Sequence, residues 1–153
     1  MDATFAFPVI AAALAGFLLL MQQIFMLAAG TRRGGTGQGV GVAGDVQLER
    51  LVRRHGNLAE NAAIFIATLA LLELLIGSGT TVLIFAAVFL VARLSHAVGF
   101  STLRGSHGKI DGQKVPGSAL FVALRAGGAT LTALSGIALG GYLLFLTIGS
   151  LPL

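Results

Sequence analysis

The chain has 153 residues, 56% of them hydrophobic and only 10% charged, with ten Lys and Arg against six Asp and Glu. One domain's length at a mean hydropathy of +0.91 excludes an ordinary soluble protein and points to an integral membrane protein. The absence of cysteine excludes disulfides, thiolate metal sites and a cysteine nucleophile, so any thiol chemistry must use a thiol brought by the substrate.

Residues 5–29 carry no charge, enough helix to cross a hydrocarbon core of roughly 30 Å at about 1.5 Å per residue. Pro8 is tolerable in a first helical turn. Met1-Asp2 supplies no positive segment, so a membrane helix is favoured over a signal peptide. Gln22 and Gln23 are expected to face a neighbouring helix. Residues 31–44 contain Arg32, Arg33 and many glycines. They lack the lysine of a phosphate-binding loop and read as a flexible connection.

A second helix is expected over 46–76. It opens on Glu49-Arg50-Leu51-Val52-Arg53-Arg54-His55-Gly56-Asn57-Leu58-Ala59-Glu60-Asn61 and continues as an uncharged run, with Glu73 near its far end. Arg53, Asn57 and Glu60 stand at i, i+4 and i+7 and share one helix face. A solvated helix start is the plain alternative, but unpaired polar groups against an apolar run are costly. The polar face therefore points to a charged ligand at the membrane boundary.

Gly77-Ser78-Gly79 makes a short turn, so a third helix over 80–100 is an antiparallel neighbour of the second. Its last turns place Arg93, His96 and Phe100 at i, i+3 and i+7. A lone histidine on an apolar helix is usually a packing residue, but the membrane-level arginine beside it favours a site role. A polar loop over 101–117 holds Arg104, His107, Lys109, Asp111 and Lys114. A fourth helix over 118–148 is charged only at Arg125, and Gly136 and Gly140 form a small-residue face for close helix contact.

The fold class that follows is all-α, an up-down bundle of four transmembrane helices in a single domain over 1–153. All ten Lys and Arg lie in or beside the first and third connections. The positive-inside rule puts those connections in the cytoplasm and both termini outside. The two polar faces then share the cytoplasmic level. This clustering explains the pI of about 10.8 without nucleic acid, because no solvated basic face with interleaved aromatics exists. No metal-ligand pattern stands out. A small channel is disfavoured, because no helix carries charges along its full length.

Glu49-Arg50-x-x-Arg53-x-x-x-Asn57-x-x-Glu60 resembles the opening of helix two in the MAPEG family, the membrane-associated proteins of eicosanoid and glutathione metabolism. Ala92-Arg93-Leu94-x-His96-x-x-x-Phe100 resembles that family's end of helix three. Arg54-His55-Gly56-Asn57 is similar to the small bacterial members, whose location would be the inner membrane. The resemblance implies a homotrimer with glutathione sites between subunits, open toward the cytoplasm. By position, Arg53, His55, Asn57 and Glu60 would hold glutathione, with Arg93 and His96 of helix three and Arg32 or Arg33 from a neighbouring subunit. Arg125 is the expected thiolate-stabilising residue, with Arg104 as the alternative. A forked arginine suits a carboxylate, Glu60 suits an ammonium, and Asn57 suits peptide links. Glu60 has a second reading as a fastener, paired with Arg93 or Arg53.

The implied activity is a glutathione-dependent transferase or peroxidase whose lipophilic co-substrate enters from the membrane lipid. The alternative is a non-catalytic trimer binding lipid or glutathione as a regulatory or scaffold protein.

Overall fold

The computed structural model describes residues 7–105, 108–110, 113–149 and 151, and of 108–110 and 113–115 it describes the backbone. Four long helices form a bundle: α1 over Val9–Thr36, α2 over Val46–Ile76, α3 over Thr80–Gly99 and α4 over Ala119–Ile148. Each is long and apolar enough to cross a membrane. The shortest, with 20 residues, spans about 30 Å at 1.5 Å per residue.

Spacing explains the core. Ala11, Leu14, Leu18, Met21 and Phe25 of α1 are buried, as are Leu58, Ala62, Phe65, Leu69 and Leu72 of α2. Both series alternate steps of three and four, which keeps one stripe turned inward. Phe65 stacks on Phe89 of α3 with ring centroids 3.7 Å apart. The outward faces carry Leu20, Ile24, Ile64, Leu71, Ile137 and Phe145, all exposed. Such an exterior suits hydrocarbon rather than water.

The buried stripe of α4 is different: Gly128, Thr132, Ser135 and Leu139. These small residues let α4 press backbone to backbone on α3. A Cβ on Gly128 would sit 2.5 Å from His96 N, and one on Gly99 would strike Arg125 N. Close contact was expected at Gly136 and Gly140, yet nothing lies within 4 Å of a Cβ at either. The approach occurs instead two turns nearer the start of α4, where Gly128 meets α3.

Three boundaries depart from the sequence reading. The helix expected over 5–29 runs from Val9 to Thr36, its expected first residues falling partly outside the described ones. Thr31 and Thr36 hydroxyls donate to carbonyls one turn back, and Gly34 and Gly35 cost only about 1 kcal/mol each in a helix already propagating. Gly37 ends it in a left-handed conformation, its N–H on Arg33 O. The connection to α2 is not a free tether. Arg33 Nη1 donates to the carbonyls of Gln38, Gly39 and Gly41, and Arg32 Nε meets Asp45 Oδ2 at 2.8 Å. Asp45 then caps α2, accepting from Gln47 N and Leu48 N.

The expected third helix ends at Gly99 rather than at residue 100, and the fourth begins at Ala119 rather than 118. Between them an antiparallel hairpin pairs β1 (Gly108–Ile110) with β2 (Gln113–Val115). His107 and Asp111 of that loop lie outside the described residues.

Glu73, which the sequence leaves without a role, is 2% exposed. Its Oε1 accepts from Ile10 N at 3.0 Å and Ser78 Oγ at 2.6 Å, and its Oε2 accepts from Ala11 N at 2.8 Å. Pro8, preceding α1, caps nothing with its side chain. A carboxylate from the end of α2 therefore satisfies the open N–H groups of α1 and meets the positive end of its dipole. This contact, Arg93 on Asn57 and the Gly99–Arg125 approach make successive helices antiparallel.

Candidate functional site

The polar face of α2 meets the last turns of α3 and the first third of α4 at the cationic end of the bundle. There a cavity of about 320 Å³ is lined by Arg53, Gly56, Asn57 and Glu60 of α2, with Val52 beneath. His96 and Phe100 from α3 and Arg125 from α4 close it. Five of the sequence-derived residues, Arg53, Asn57, Glu60, His96 and Arg125, thus border one space. Its volume falls in the range of a small-ligand site.

Geometry assigns each side chain a different freedom. Arg53 is exposed, with Nε on Glu49 Oε1 at 2.7 Å, a pair worth little in water. Arg125 lies with its guanidinium 4.3 Å over the Phe100 ring and one Nη on Gly105 O at 3.3 Å. The cation–π contact and the carbonyl hold it in place. His96 is buried, stacks near Phe100 at 5.6 Å between centroids, and keeps a buried Nδ1 without a partner among the described residues. Arg50 steadies the same corner by donating to Phe100 O at 2.9 Å.

Arg93 is only 2% exposed and does not border the cavity. Its Nη2 donates to Asn57 Oδ1 at 2.9 Å and its Nη1 to Thr132 Oγ1 at 3.3 Å. Glu60, one turn past Asn57 on the open face of α2, is exposed and forms no ion pair among the described residues. The pairs that the fastener reading of Glu60 calls for are not formed among the described residues: Arg93 turns inward beneath Asn57 to a hydroxyl of α4, and Arg53 turns back to Glu49.

Other sequence-derived residues lie elsewhere. Arg32 and Arg33 engage the α1–α2 connection of their own chain. His55 is turned away from the Asn57 face and does not line the cavity. Arg104 is exposed and also stands clear of it, which leaves Arg125 as the fourth-helix cation at the site. Outside the spans, the Asp45 carboxyl is held below its ordinary range by the Arg32 hydrogen bond first, and then by the Leu48 N–H.

Sequence reasoning missed Gly56 and Thr132. Gly56 stands three residues from Arg53 and four from Glu60, on their face; lacking a side chain, it leaves the floor open. Thr132 stands seven residues after Arg125, on the same face of α4. A hydroxyl at that spacing in an apolar helix was the available signal. Below the cavity an apolar groove of about 430 Å³ runs between α2 and α4, past Asn61, Ile64, Thr68, Thr132, Gly136 and Gly140. Gly136 and Gly140 thus border open space. No three His, Asp or Glu side chains gather to hold a metal among the described residues.

The model of the MAPEG family matches residues 8–145, nearly the whole chain. No curated protein and no solved structure matches it.

Proposed function

The chain belongs to the MAPEG family, whose members are membrane-associated and mostly glutathione-dependent enzymes, and on that premise we propose that it is a glutathione transferase or peroxidase acting on lipophilic electrophiles. The observation that carries the reading is the gathering of Arg53, Asn57, Glu60, His96 and Arg125, from three helices, around one cavity. Glutathione brings two carboxylates, an ammonium, two peptide links and a thiol. Arg53 suits a carboxylate, the free carboxylate of Glu60 suits the ammonium, and Asn57 suits a peptide link. Arg125 stabilises the thiolate, because a fixed cation in a poorly hydrated site lowers a thiol pKa from about 8.5. The thiol proton leaves to solvent. In the transferase reaction sulfur then bonds to the electrophilic carbon, whose leaving group departs with the bonding electrons. The groove between α2 and α4 receives the apolar part of the co-substrate from the bilayer.

The working unit is a homotrimer with α2 at its centre and the site open to the cytoplasm. Support comes from α2 itself: Glu60 and Arg53 are exposed on a helix that also exposes Ile64 and Leu71, and a charged side chain facing lipid is expensive. A neighbouring subunit covers that face and brings Arg32 or Arg33 to the ligand. Mass measurement of the detergent-extracted protein tests this, and a monomer or dimer removes the shared site. The activity is tested by titrating purified protein with glutathione and assaying conjugation with several electrophiles. Binding without turnover on any electrophile or peroxide would make it a binding protein instead.

A further inference from the structure

Arg93 sits outside the cavity, yet it determines which way one of the lining groups points. A guanidinium carries only donors, so the Asn57 atom that meets Arg93 Nη2 at 2.9 Å has to be the amide oxygen. The flipped amide would set N–H against N–H. The Asn57 Nδ2 is thereby turned from Arg93, with no protein partner among the described residues, on a residue that lines the cavity. Arg93 is held in its turn by Thr132. The Thr132 hydroxyl gives its proton to Gly128 O at 2.8 Å, which leaves an oxygen lone pair for Arg93 Nη1 at 3.3 Å. No carboxylate touches Arg93 among the described residues. The relay thus runs from the backbone of α4, through a buried cation on α3, to an amide on α2.

We propose that Thr132 is a positioning residue which, through Arg93, locks the Asn57 amide with both N–H donors toward the cavity, so that the site selects a ligand presenting an acceptor oxygen there. The identity of that ligand rests on the glutathione reading above, in which the acceptor is a peptide carbonyl. A lone Asn beside a neutral partner accommodates either an acceptor or a donor by flipping. Beside a buried guanidinium it loses that tolerance, and a ligand offering an N–H in the same place is refused.

Five proteins test this: wild type, the Thr132→Val, Thr132→Ser and Asn57→Asp variants and the Thr132→Val/Asn57→Asp double variant, each as the full chain in detergent, titrated with glutathione and melted. Asn57→Asp keeps the pair with Arg93 and removes the donors. It is expected to melt at or above wild type while glutathione affinity falls about tenfold or more. Wild-type affinity in Asn57→Asp overturns the orientation. Thr132→Val keeps the volume and loses the lone pair. Affinity of its folded fraction is expected to fall severalfold, and Thr132→Ser restores it. A Thr132→Val protein that melts lower but binds glutathione as wild type does makes Thr132 structural only. If wild type takes up no glutathione, the functional reading fails separately. The relay is then decided by melting alone: Thr132→Val and Asn57→Asp should be non-additive because both act on Arg93, and strict additivity overturns it.

Discussion

The two ends of the bundle handle buried charge in opposite ways. At the end where α1 begins, one carboxylate, Glu73, meets two backbone N–H groups and the Ser78 hydroxyl. Its oxygens are occupied and it does not border the site cavity. At the other end Arg93 and His96 are also buried, but Arg93 Nε and His96 Nδ1 lack partners among the described residues, and Asn57 and Arg125 line a cavity. In a low-dielectric interior an unmade hydrogen bond is expensive. A saturated buried charge fastens the fold, whereas an unsaturated cluster beside a cavity is the arrangement that the proposed ligand site calls for. That difference separates structure from function here more sharply than burial or charge does.

The largest effect should come from the saturated end. Glu73→Ala strands three donors and uncaps α1, and a loss on the order of 3 kcal/mol is expected, since bonds to a charged acceptor are worth roughly 1.5–3 kcal/mol each and are not additive. The melting temperature in detergent reads this. Glutathione affinity of the folded protein should stay unchanged, because the residue lies at the opposite end. A variant that melts normally but binds poorly would reverse the roles assigned to the two ends.

Glu60→Gln is the converse experiment. Glu60 has no protein ion pair to lose among the described residues, so the melting curve should hold while glutathione binding weakens by roughly 1.5–3 kcal/mol. Calorimetric titration separates the two readouts. Unchanged affinity would remove Glu60 from the ammonium, and a large melting shift would restore a structural role.

What was legible in the sequence follows the same division. Long uncharged runs leave few alternatives to membrane-crossing helices, and residues 46–76 match α2 in full. Arg53, Asn57 and Glu60 were readable as one face because helical spacing is local. The meeting of that face with His96 and Arg125 needed only antiparallel helices and charge placed at one level. Glu73 was not readable: its two backbone partners are 62 and 63 residues away, and backbone N–H groups leave no mark in a sequence. The end of α1 was misjudged for a related reason. Glycines at 34 and 35 look like breakers, whereas threonine hydroxyls and the Arg33 contacts hold the last turns together.

Arg125→Gln should cost less than either preceding change and appear only in chemistry. Without the cation, the bound thiol titrates nearer its ordinary value of about 8.5, and conjugation near neutral pH slows on the order of tenfold, the consequence of about one pKa unit. Thiolate absorbance of bound glutathione against pH measures the shift directly. The melting temperature should move little, because the carbonyl and ring contacts of Arg125 are partly exposed. Loss of binding instead of loss of thiolate would place Arg125 on a carboxylate.

The smallest effect is expected at Asp45, which caps α2 and does not line the cavity. Its carboxyl is held below the ordinary range, chiefly by the hydrogen bond from Arg32. A depressed folded value means stability that is fully present above the unfolded value of about 3.9 and is lost as pH falls through the folded value. The α1–α2 connection should therefore loosen only in acid, below about pH 4, detected as a small drop in melting temperature on that side. Asp45→Asn keeps an acceptor for Gln47 and Leu48 but not the charge, so its melting should be flatter across the same window. If Arg32 leaves Asp45 to reach glutathione in a neighbouring subunit, the ligand competes with this pair, and glutathione binding at neutral pH should tighten slightly in Asp45→Asn. Identical affinity in the two proteins would argue that Arg32 stays in its own chain, leaving Arg33 as the neighbour's contribution.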